Sequence, residues 1–223
     1  MSYTLLIGNK NYSSWSLRPW LLLHAFGVPF TEERHVFDTP EFAAQIQSRK
    51  RSPNGKVPVL VDGDITVWDS LAISEYLAER HTGMWPTDST ARAHARCACA
   101  EMHSGYQAVR NWMPMNVRRS YPIAMPRDDV QKDIDGIQAL WTEARAKFGA
   151  DGAFLYGKFS VADAYFAPVV FRFNTYAAKC SPVVAGYAKA MLAHRSMQQW
   201  MADSQAEKEI VDHEEPEHIY TAK

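Results

Sequence analysis

The 223 residues carry 24 Lys and Arg against 25 Asp and Glu, a formal net charge of −1, so no bulk field draws the chain to nucleic acid or to an anionic membrane. No stretch approaches the roughly 18 apolar residues needed to span a bilayer, and the first residues lack a basic start, so a cytoplasmic location is the default expectation. The length is a little above the usual size for one hydrophobic core, and two small domains are expected.

Thr4 to Ile7 is a short β-rich apolar run, followed by the polar loop Lys10-Asn11-Tyr12-Ser13-Ser14. Trp15, Leu17, Trp20, Leu21, Leu22 and Ala25 then recur at helical spacing, with Pro19 in the first turn and Gly27 as the stop. Phe30 to Val36 reads as a second strand and Pro40 to Gln47 as a short helix. Val57 to Val61 and Ile65 to Trp68 are strands around the hairpin signal Asp62-Gly63-Asp64, and Ser70 to Arg80 is a third helix. Two strands joined by a helix run parallel with a right-handed crossover, whereas the hairpin is antiparallel. The order β-α-β-α-β-β-α is therefore expected to fold as a thioredoxin-like mixed sheet over residues 1–81, with a turn-rich linker at 82–89.

Beyond the linker the strand signals fade, and residues 90–223 read as an α-helical bundle. One long helix runs from Thr90 to about Arg119 with a bend at Pro114; others cover Arg127 to Phe148, Ser160 to Asn174, Pro182 to His194 and Ser196 to Ala206. Ser160 and Asp163 form an N-capping pair for a helix that is apolar nearly all round and belongs at the centre of its domain. The acidic stretch from Glu207 to Glu217 reads as a surface tail. Cys97, Cys99 and Cys180, an odd set without a Cys-x-x-Cys pair, read as core or semi-buried thiols and argue against a disulfide scaffold or zinc. His94 and His103, nine apart with no carboxylate at ligand spacing, read as surface histidines, and no metal is expected.

The most informative stretch is Ser52-Pro53-Asn54-Gly55-Lys56-Val57-Pro58, followed by Asp69-Ser70 at a helix start. A cis Val57-Pro58 bond is a plausible turn between a polar loop and a short strand, and it leaves the Val57 N–H and C=O facing outward to pair with an added peptide. Asp69-Ser70 places a hydroxyl and an N–H at a helix N-terminus, which favours a carboxylate ligand. Each feature taken singly is also an ordinary turn or cap; in series they read as a tripeptide site.

In these residues the chain resembles the cytosolic glutathione transferases, with the serine-type zeta and theta classes nearest in motif. Ser13-Ser14-Trp15-Ser16-Leu17-Arg18 is similar to the Ser-Ser-Cys-Ser-x-Arg motif of zeta enzymes, and Val57-Pro58, Asp69-Ser70 and Ser160-x-x-Asp163 follow in the family's order. Trp15 stands in place of the zeta Cys, and Lys56 in place of the Gln before Val-Pro. The resemblance implies a glutathione transferase fold, glutathione as co-substrate, a detoxifying conjugation to a small hydrophobic electrophile, and a homodimer. It assigns the thiolate to a Ser hydroxyl, with Ser13 preferred, Ser14 the nearby alternative and Tyr12 third. It also places Val57 on the cysteinyl backbone, Ser70 and Asp69 on the γ-glutamyl end, and Lys56 on the glycyl carboxylate. Arg18 is expected close to the thiolate, supporting it or pairing with an acid elsewhere.

The second substrate is expected between the domains. Trp15, Met102, Tyr106, Arg110 and Met113 would line that pocket, a soft aromatic wall with one cation suited to an electrophile carrying a negative group. A zeta-like glutathione-dependent isomerase or reductase, and a non-catalytic binding protein of the same fold, are the alternatives.

Overall fold

The computed structural model describes residues 3–221. Strands β1 (Tyr3–Ile7), β2 (Phe30–Arg34), β3 (Val59–Asp62) and β4 (Ile65–Trp68) form one sheet in the order β2-β1-β3-β4. The β1–β2 pair is parallel and the other two pairs are antiparallel, as the crossover and the hairpin require. Helix α1 (Ser14–Ala25) connects β1 to β2. Between β2 and β3 the chain forms α2 (Pro40–Phe42), which continues as one wider π-type turn over Ala43–Gln47. Helix α3 (Ser70–Arg80) follows β4.

Both faces of the central strands are covered, which explains the unbroken apolar run of β1. Alternate residues point to opposite sides: Leu5 and Ile7 join Leu17, Leu21, Ile73 and Leu77 in the main core, while Leu6 meets Val59, Phe42 and Ile46 on the other face.

The remainder is mostly helical: α4 (Ser89–Ser104), α5 (Gln107–Trp112), α6 (Asp128–Phe148), α7 (Val161–Thr175), α8 (Pro182–Ala193), α9 (Arg195–Ala206) and α10 (Pro216–Thr221). Helix α7 is central, buried from Val161 to Phe173 and in contact with α1, α4 and α8. Among the described residues no helix is long and apolar enough to cross a membrane.

Two expectations are corrected here. The long helix after the linker does not reach Arg119; it ends at Ser104, Gly105 closes its last turn on the Glu101 carbonyl, and Tyr106 adopts a left-handed φ of 57°. The carbonyls freed at this end are taken by Arg110, which donates to those of Met102, His103 and Gly105, so a side chain from the next helix caps the previous one. Residues 113–127 are irregular and tied to the end of α7, where Arg172, Thr175 and Tyr176 donate to the carbonyls of Met113, Asn116 and Pro114.

The acidic stretch after α9 is not a surface tail. The Glu207 carboxylate accepts the N–H groups of Lys10 (2.7 Å) and Asn11 (3.1 Å), and Arg118 donates to the Glu207 and Glu209 carbonyls. Glu215, 8% exposed, accepts from the Tyr12 hydroxyl at 2.5 Å, from Asn116 and from Arg119. These acids answer backbone and side-chain donors of the loop before α1, which burial would otherwise leave unpaired. Replacing Tyr12 by Phe removes one donor from the buried Glu215 carboxylate, which keeps Asn116 and Arg119, and leaves the Val211 N–H, which also donates to this hydroxyl, without its acceptor. The expected loss is roughly 1–3 kcal/mol of stability, read as a lower midpoint in thermal unfolding.

Candidate functional site

The loop from Gly8 to Ser13 delivers the start of α1. Asn9 organises it: its carbonyl accepts the N–H groups of Tyr12 and Ser13, and its side-chain oxygen accepts from the Phe37 N–H at 2.8 Å. Ser13 is the N-cap, and its hydroxyl is committed, donating to Ser16 Oγ at 2.7 Å and accepting from the Ser16 N–H at 3.4 Å. Ser14 is the first helical residue, and its hydroxyl has no hydrogen-bond partner among the described residues. Tyr12 points its hydroxyl away to Glu215 and Arg118, and burial pushes its pKa up.

The Val57-Pro58 bond is cis. Ser52 shapes the turn before it, accepting from the Lys56 N–H at 3.0 Å and donating to the Lys56 carbonyl at 2.5 Å. Val57 makes no backbone–backbone hydrogen bond among the described residues, so its N–H and C=O are left without a main-chain partner. Asp69, at φ 73°, caps α3 by accepting from the N–H groups of Leu71 and Ala72. Its conformation is one that non-glycine residues rarely take. Ser70 is in contact with Tyr165 (3.1 Å between oxygens), Tyr165 with His103 Nδ1 (2.6 Å), and His103 Nε2 returns to the Asp69 carboxylate (3.4 Å). This polar ring ties α3 to α4 and α7.

A cleft of about 620 Å³ opens over Ser13, Ser14, Trp15 and Val57, and a second hollow of about 290 Å³ continues it over Pro58, Asp69 and Ser70. The two share Trp15, Lys56, Val57 and His103 and so form one groove. The structure thus gathers Ser13, Ser14, Trp15, Lys56, Val57, Asp69, Ser70 and Arg110 around a single space. It does not bring in the other three expected electrophile contacts. Met102 and Met113 are buried in the core, at 0% and 1% exposure, and Tyr106 donates to Glu101 at the side of α4. For Tyr106 and Met113 the break after Ser104 is the reason, because it turns this segment out of the helical register from which those contacts were inferred; Met102, before the break, lies on the buried face of α4 with Ala95, Ala98 and Cys99.

Arg18 is fully buried and makes no ion pair among the described residues. Its guanidinium lies between the Trp15 and Tyr165 rings, 4.1 and 4.2 Å from their centroids, and Nε donates to the Tyr165 carbonyl. Burial pulls its pKa down to about 10. Arg110 stacks on Trp15 as well, at 4.7 Å.

Several groove residues were not anticipated. His103 is a groove residue rather than a surface histidine, and His94 is half-buried and bonded to Tyr156. Cys97 is exposed, Cys99 buried. Arg172 and Glu214 also face the cleft. Burial, then repulsion from Arg110 and Arg18, draws the Arg172 pKa down to about 9, and burial raises that of Glu214. A lone arginine in an otherwise apolar helix was the available signal for Arg172; for Glu214, on an acidic stretch, there was none.

Residues 12–80 match the family described as glutathione S-transferase, N-terminal domain. A 61-residue stretch is 41% identical to a dichloromethane dehalogenase of Methylorubrum extorquens, covering 27% of this chain and 21% of that enzyme. Glutathione S-transferase 1 of Dianthus caryophyllus is 28% identical over 172 residues, 71% of this chain and 72% of the relative. Among solved structures, a Burkholderia glutathione transferase homolog with bound glutathione superposes with a TM-score of 0.68 at 20% identity, covering 93% of this chain and all of that one. That likeness shows the fold.

Proposed function

We propose that this chain, a member of the glutathione S-transferase family by its residues 12–80, binds glutathione along the groove and adds its thiolate to a small electrophile, with the Ser14 hydroxyl donating to the sulfur. The observation that carries this reading is the unpartnered Ser14 hydroxyl at the start of α1, facing the same groove as Val57 and Asp69-Ser70. Of the two early serines Ser14 is the better donor, because Ser13 spends its hydroxyl on Ser16.

The required energy is of the right size. Glutathione carries an ordinary thiol with a pKa near 8.5, and lowering it by roughly two units takes about 2.7 kcal/mol of preference for the anion. A hydrogen bond to a charged group contributes about 1.5–3 kcal/mol and a helix N-terminus about 0.3–1 kcal/mol. The cysteinyl backbone would pair with Val57 as an added strand, the γ-glutamyl end would lie at Asp69 and Ser70, and the exposed Lys56 would reach the glycyl carboxylate. The electrophile would then sit between an α/β domain at 1–81 and a helical domain at 90–223, against Trp15.

An ultraviolet titration of bound glutathione tests the reading. A thiol pKa well below 8.5 and turnover of a chloronitrobenzene are expected. Failure of the protein to be retained on glutathione-agarose would remove glutathione from the proposal, and retention without turnover would point to the binding-protein alternative.

A further inference from the structure

We infer that Arg172 is the receptor for an anionic group on the second substrate, so that the electrophile this groove selects is an aromatic compound bearing one carboxylate. The inference rests on the groove being the glutathione site and names what the part of it lined by Arg172 recognises.

Arg172 is 4% exposed, and its only hydrogen bond among the described residues runs from Nε to the Met113 carbonyl at 2.7 Å. Nη1 is buried with no partner, and no described carboxylate lies within ion-pair distance of the guanidinium. The contrast with Lys10 is direct: that buried cation, 5% exposed, is met by Glu32 at 2.7 Å and Asp203 at 2.6 Å. An unpaired buried cation is costly unless something else pairs it. Arg18 also has unpartnered Nη atoms, but it is closed between two rings and does not reach the cleft. Arg172 does reach it, and Trp15, Phe37 and Phe42 line the same cleft, so their rings offer an apolar seat for the carbon skeleton.

Arg110, the cation first expected in this role, has its guanidinium bonded to three carbonyls at the end of α4. The two carboxylates of glutathione lie, in the proposed pose, at Lys56 and Ser70, so neither reaches Arg172. A guanidinium edge matches a carboxylate in shape and donor count. Glu214 faces the same cleft beyond ion-pair range of Arg172, and its presence disfavours a doubly charged phosphate over a single carboxylate.

The experiment compares 4-chloro-3-nitrobenzoate with its methyl ester, and measures binding of unreactive 3-nitrobenzoate to the glutathione-free protein by calorimetry. The wild-type protein is expected to prefer the acid in kcat/KM by about tenfold or more. Arg172→Met is expected to cut the acid-to-ester ratio and the 3-nitrobenzoate affinity by about thirtyfold, with part of both restored by Arg172→Lys. A wild-type protein that does not favour the acid, or 3-nitrobenzoate binding that Arg172→Met leaves intact, overturns the inference. If Arg172→Met does not fold, the wild-type ratio and the Arg172→Lys variant decide. Absence of glutathione binding would sink the transferase reading alone, because 3-nitrobenzoate binding still reports on Arg172.

Discussion

Replacing Ser14 with alanine is expected to raise the thiol pKa of bound glutathione by about one to two units and to lower kcat/KM at pH 7 by roughly ten- to a hundredfold. The effect is this large because a single hydroxyl would supply most of the anion's stabilisation, and the helix start alone contributes less than one unit. The loss should shrink as pH rises, since above the new pKa the thiolate forms without help. Glutathione affinity should change little, because the backbone pairing at Val57 and the contacts at Asp69-Ser70 are untouched. Ser13→Ala provides the internal comparison. It removes the cap of α1 and its bonds to Ser16, so about 1 kcal/mol of stability is lost while the thiol pKa stays near the wild-type value. Tyr12→Phe likewise leaves that pKa in place, because its hydroxyl serves Glu215 and Arg118. If instead Ser13→Ala raises the pKa and Ser14→Ala does not, the donor is Ser13.

The second large effect lies in the core. The Asp163 carboxylate is fully buried and accepts from the N–H groups of Leu155 (3.0 Å) and Ser160 (2.9 Å) and from the Ser160 hydroxyl (3.0 Å). Its removal leaves these donors unpaired beside the central helix α7. Asp163→Ala is expected to cost roughly 3–5 kcal/mol and to lower the melting temperature by on the order of 10 °C, so function is lost through folding. Burial also pushes this carboxyl's pKa up to about 6, against an ordinary 3.8 in the unfolded chain, in spite of the bonds it accepts. The folded state therefore holds the proton more tightly, and the group's contribution to stability falls as pH rises from about 4 to about 6 and is level above. Denaturant unfolding across that window should show the decline in the wild type, and Asp163→Asn should lack it; a slope shared by both would assign it to other groups.

Much of the fold was legible because its signals are local. The apolar run of β1, the turn Asp62-Gly63-Asp64 and the Ser160–Asp163 cap each depend on residues within a few positions of one another, and each appears where expected. The cis turn at Val57-Pro58 and the cap at Asp69-Ser70 were legible for a similar reason, since both are short segments with defined backbone demands. Even Ser13 had a readable partner, Ser16 at the spacing of a capping bond.

What the sequence by itself determined, then, was the set of elements, their order and the chemistry of the turn and helix start that a tripeptide would use. Tertiary structure alone decided which side chains reach the cleft and with what left unpaired. The stop at Gly105 is met by Arg110 folding back, the acidic stretch is held by a loop about 200 residues earlier, and Arg172 reaches the cleft with no carboxylate within ion-pair distance. Propensity and periodicity act within a turn or two of the chain, whereas pairing and desolvation of a charge depend on groups brought together only when the helices pack.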